Sequence, residues 1–149
     1  MTLKESVYHN CLQLLEAKIA PIRSAQNDLR ESASNETKST AGDKHETALA
    51  MLQIEQKNIA AQLENLNNQV QILKRLKDVV TTKIIANGSL VETDKGYFYL
   101  SIPLGKISMD GNLITVLSSQ SPLGKCFLGA EPDQVITFNK ITYQIKSIN

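Results

Sequence analysis

Apolar residues in the first half of this chain recur at alternating steps of four and three. Tyr8, Leu12, Leu15, Ile19, Ile22 and Leu29 keep that rhythm, with Gln26 at one polar position and Ala33 closing the run. Such spacing draws a narrow stripe along a helix, the a/d seam of a two-helix coiled coil. Pro21 lies inside the run, where it removes one helical hydrogen bond. It predicts a kink or a fresh helix start, although the seam keeps its register across it. From Ser34 to Asp43 the pattern stops, and Ser, Thr, Asn and Gly mark a turn region.

The rhythm resumes at Leu49, Leu52, Ile59, Leu63, Leu66, Val70 and Leu73; Gln56 and Lys77 break it, and Leu76 partly compensates. Two seams joined by a short turn can meet within one chain only if their helices are antiparallel. The expectation is a coiled-coil hairpin over residues 1–79 with an acidic tip near 38–46. A helix of about 35 residues spans roughly 50 Å at 1.5 Å per residue.

At Val79 the texture changes to period two and β-branched residues. Asp94-Lys95-Gly96 and Asp110-Gly111 are hairpin turns between candidate strands Tyr97–Ile102, Lys106–Met109 and Leu113–Leu117. A short helix follows, with Ser121 as N-cap, Pro122 at its first position and Gly129 just past its end. Gln134–Phe138 and Ile141–Ile148 form a last hairpin around Asn139-Lys140. Residues 80–149 thus read as a small β-rich domain with one helix, and the whole chain as α+β.

Composition narrows the function classes. The chain is 149 residues long, 42% apolar and 21% charged, and no apolar run is long enough to span a bilayer. Its start, with Glu5 early, lacks a signal peptide's basic-then-apolar layout, so a cytoplasmic protein is expected. Cys11 and Cys126 have no metal or redox spacing and read as reduced thiols. Net charge is +1. Neither half has the basic excess of a nucleic-acid binder, and Lys74, Arg75 and Lys77 read as cations near a helix C-terminus.

Candidate chemistry is concentrated at Gly42-Asp43-Lys44-His45-Glu46. Two readings of its acids stay open. Asp43 followed three residues later by Glu46 is a capping-box pattern that would close the second helix. The same spacing lets two carboxylates point to one side of a thin arm, where they can be delivered into a site on another molecule. His45 has no second His or Cys close in sequence, and no phosphate-binding glycine loop is present. Tyr97, Phe98, Tyr99, Phe127 and Tyr143 read as core and strand surface.

The order of parts resembles the bacterial Gre transcript-cleavage factors, which join an N-terminal antiparallel coiled coil to a small FKBP-like domain. Gly42-Asp43-Lys44-His45-Glu46-Thr47-Ala48 parallels the family's tip motif. Ser121-Pro122-Leu123-Gly124-Lys125-Cys126-Phe127-Leu128-Gly129, followed by Asp133 and Val135, parallels its second-domain signature, and Gly88-Ser89 falls near its Gly-Ser. The chain departs from the pattern at Lys44, Thr47, Leu49, Ala50 and Pro132.

The resemblance implies a non-enzymatic elongation factor that binds RNA polymerase and meets nucleic acid only within the elongation complex. It implies no cofactor of the chain's own, and a Mg²⁺ shared with the polymerase site. Asp43 and Glu46 would assist there as catalytic and metal-holding acids, with Lys44, His45, Ser121, Pro122 and Leu123 meeting the partner. Two alternatives remain: a secondary-channel regulator without cleavage, since Lys44 weakens the local negative charge, and an interaction module unrelated to polymerase.

Overall fold

In the computed structural model, residues 1–37 and 42–149 are described, with side chains for all of these except residues 36, 37 and 42–45. Two long helices come first: α1, Leu3–Thr37, and α2, Gly42–Arg75. Helix α1 is a single element, so Pro21 neither ends it nor starts a new one. A reciprocal cap opens it. Glu5 N–H donates to the Thr2 hydroxyl at 3.2 Å, and Thr2 N–H donates to the Glu5 carboxylate at 3.0 Å. Lys74 and Arg75 occupy the last turn of α2, where cations oppose the negative end of the helix dipole.

The burial along both helices follows the four-three rhythm. Leu15 and Ile19 are buried, and Ile22, Gln26, Leu29 and Ala33 are less exposed than the residues between them on the outer face. On α2, Leu49, Leu52, Gln56, Ile59, Leu63, Leu66 and Val70 are all half-buried. The seam therefore runs through Gln56 without a break. It ends at buried Leu73, with Lys77 exposed.

The second half forms a six-stranded mixed sheet and one short helix. The strands are β1 (Leu90–Thr93), β2 (Gly96–Leu100), β3 (Gly105–Met109), β4 (Asn112–Leu117), β5 (Val135–Phe138) and β6 (Ile141–Ile148), in the order β3-β4-β2-β1-β6-β5. Helix α3, Pro122–Phe127, lies between β4 and β5 in sequence. All three expected hairpins form, with Thr93 paired to Gly96, Met109 to Asn112 and Phe138 to Ile141. Asp110 and Gly111, and likewise Asn139 and Lys140, have positive φ at both central positions, as type I′ turns require. Period-two patterning did not indicate that β2 and β4 pair in parallel, with β3 outside them.

One sheet face packs under α3. Val91, Phe98, Leu100, Leu117, Phe127, Tyr143 and Ile145 form this core, and the rings of Phe98, Phe127 and Tyr143 lie 4.8–5.7 Å apart in tilted and edge-on contacts. Leu90, Tyr99, Ile114 and Val116 point to the other face and are at most 1% exposed.

The chain divides into two compact units, Met1–Leu12 with Gln71–Asn149, and Gln13–Val70. The first explains the second buried face. Val7, Tyr8 and Cys11 of α1 and Leu73 of α2 are buried in the same unit, and Tyr8 lines one cleft with Tyr99. The opening turns of α1 and the closing turn of α2 cover what α3 does not.

Candidate functional site

Helix α2 begins at Gly42, which makes Asp43 its second residue. Asp43 and Glu46 occupy positions i and i+3 of the first turns, where the positive end of the helix dipole favours acids. Glu46 is exposed. The side chains of Asp43, Lys44 and His45, and the 38–41 part of the expected tip, lie outside the described residues. Among the described residues, no three His, Cys, Asp or Glu side chains group to hold a metal.

A short way along α2, Met51 and Ile54 are 59% and 62% exposed. Their three-residue spacing puts them on one side of the helix, off the seam. The four-three pattern does not point to them; their signal is apolar character at positions the seam does not use.

Ser121, Pro122 and Leu123 sit at the start of α3 and have different environments. The Ser121 hydroxyl accepts from Gly124 N–H at 3.0 Å and donates to the Ser118 carbonyl at 2.6 Å, so it is committed to the cap. Leu123 is half-buried and packs on the aromatic core. Pro122 is exposed. Of the three, Pro122 offers the most surface to a partner. Ser89, within the Gly88-Ser89 pair, is also structural: it is buried, and its hydroxyl accepts from Ala86 N–H at 3.0 Å.

The first unit also carries clefts that the sequence did not reveal. One, about 300 Å³, is lined by Lys4, Glu5, Tyr8, Lys77, Asp78 and Tyr99, among others. Lys4 Nζ donates to the Val79 carbonyl at 3.1 Å, and partial burial lowers its pKa. Burial raises the pKa of Tyr8 and of Tyr99, with the Asp78 charge adding to the shift at Tyr8. A second cleft, about 250 Å³, lies between the end of α2 and the segment before α3, with Arg75, Asn87, Ser101, Ser118, Ser119 and Gln120 supplying its polar lining. These residues are far apart in sequence, which is why no motif announced them.

No protein-family model and no curated protein matches this chain. Among solved structures, that of the transcription factor Gfh1 aligns over 92% of this chain and 92% of its own, at 18% identity and a TM-score of 0.36. A likeness of that size assigns neither fold nor function, so both rest on this chain's own residues.

Proposed function

We propose that this protein is an RNA-polymerase-binding elongation factor of Gre type, which inserts its helical hairpin into the polymerase's secondary channel. The observation that carries the reading is the place of Asp43 and Glu46. They open a 34-residue helix that follows a 35-residue one. Helices of that length reach about 50 Å, enough to present a tip to a recessed site. Exposed Glu46, with Asp43 three residues ahead, is a hard oxygen-donor set suited to Mg²⁺.

Such a pair is incomplete alone, and Mg²⁺ retains several waters and needs few protein carboxylates. Mg²⁺ would supply Lewis-acid activation of water at the polymerase site. Asp43 and Glu46 would add ligands there and orient the water that cleaves backtracked RNA. The polymerase would perform the hydrolysis, and the chain would have no activity by itself. Exposed Pro122 would belong to the surface of the β-rich domain that meets the polymerase.

A second reading keeps the docking and drops the cleavage. It is favoured by Lys44, which places a cation between the two acids. One experiment separates the two. Backtracked elongation complexes of the cognate polymerase are incubated with wild-type protein and with Asp43→Asn/Glu46→Gln. Shortened transcripts from wild type alone support tip-assisted cleavage. Binding by both without cleavage by either supports the regulator. If neither protein binds polymerase, the whole proposal falls.

A further inference from the structure

We propose that the cleft between the end of α2 and the segment before α3 is a binding site for a small oxyanion of the monophosphate class. The inference is independent of the polymerase reading. Its starting point is Ser101. The residue is 8% exposed and its N–H bonds the Leu117 carbonyl at 2.8 Å, yet its Oγ is buried with no hydrogen-bond partner. A buried hydroxyl without a partner is costly, and native proteins retain few of them.

The rest of the lining points the same way. Arg75 carries the only charge among the lining side chains, and no ion-pair partner is found for it among the described residues. The Ser118 Oγ accepts from Gln120 N–H at 3.1 Å, so its own O–H still needs an acceptor. No hydrogen bond is found for the Ser119 hydroxyl or the side-chain amides of Asn87 and Gln120 among the described residues. The set is rich in donors and contains no acid.

A carboxylate offers two oxygens; a phosphate offers more acceptors in a tetrahedral array and is also matched by a guanidinium fork. Ile72 and Leu76 supply the apolar part of the lining. The other cleft compares poorly. Lys4 and Lys77 there are offset by Glu5 and Asp78, and Lys4 is already committed to Val79.

The site is preformed on its loop side. The Ser118 carbonyl accepts from both Ser121 N–H, at 3.1 Å, and Ser121 Oγ, at 2.6 Å. Both bonds hold residues 118–121 in place without a ligand.

The test is titration of the full chain with inorganic phosphate at constant ionic strength, followed by amide NMR, with chloride and acetate as parallel arms. Saturable shifts at Ser101 and Ser118–Gln120 are expected with phosphate and not with chloride. Arg75→Gln should weaken binding at least about tenfold, the effect of losing a charged hydrogen-bond donor. Ser101→Ala should lower phosphate affinity while leaving the phosphate-free melting temperature unchanged or higher, because the orphaned hydroxyl is gone. No saturable shift, undiminished binding by Arg75→Gln, or tighter binding of acetate than phosphate would each overturn the proposal.

Discussion

Gly124 lies so close to Ser118 that a Cβ on it would stand 2.1 Å from the Ser118 carbonyl oxygen. The contact is backbone against backbone, so no side chain can rotate away. That oxygen also accepts two hydrogen bonds from Ser121. The glycine is therefore needed for α3 to close against its own N-terminal segment.

Gly124→Ala should destabilise the protein by about 1–3 kcal/mol, through overpacking of backbone against backbone. Urea unfolding would show it as a lower midpoint. An unchanged midpoint would mean that the loop moves freely.

The two thiols should differ in reactivity. Cys126 is exposed, whereas Cys11 is fully buried and its pKa is pushed up to about 12 by desolvation. A thiol reagent at mildly alkaline pH should label one cysteine in the native protein and two after denaturation. The same shift has a stability consequence. A folded pKa above the unfolded value of about 8.5 gives stability that is complete below that value and is lost as pH rises toward about 12. Cys11→Ser should flatten this alkaline decline in melting temperature.

Lys140 has φ +66° at the second centre of the β5–β6 turn. A non-glycine residue there costs about 1 kcal/mol, and glycine is the preferred partner after Asn in a type I′ turn. Lys140→Gly should raise stability by roughly that amount, read from equilibrium unfolding. A loss of stability would indicate that the lysine side chain makes a contact worth more than the strain.

Leu63 lies on the α2 seam and is half-buried. Leu63→Asp puts an uncompensated charge in that apolar stripe, a cost of several kcal/mol if it stays desolvated. Helical ellipticity should melt at a lower temperature than in the wild type. A surface control, Glu64→Ala, should leave it unchanged.

Much of the fold was legible in the residues because its determinants are local. The helix seams follow from spacing alone, and their apolar positions from Leu15 to Leu73 are buried or half-buried. Ser121, Pro122 and Gly129 mark α3 because capping, fixed proline φ and glycine's positive φ act within a few residues. The hairpins at Asp110-Gly111 and Asn139-Lys140 were readable for the same reason. The candidate tip was legible only as an i, i+3 pair of acids, which falls in the first turns of α2.

What the sequence by itself determined, then, were periodicities and turns, each fixed by near neighbours. Tertiary structure alone decided the parallel pairing of β2 with β4, the covering of Tyr99 and Leu90 by the base of the hairpin, and the cleft that Arg75 lines together with Ser101 and Ser118. Those arrangements join residues tens of positions apart. They depend on which buried face finds cover and which edge finds a partner, and no local pattern encodes either choice.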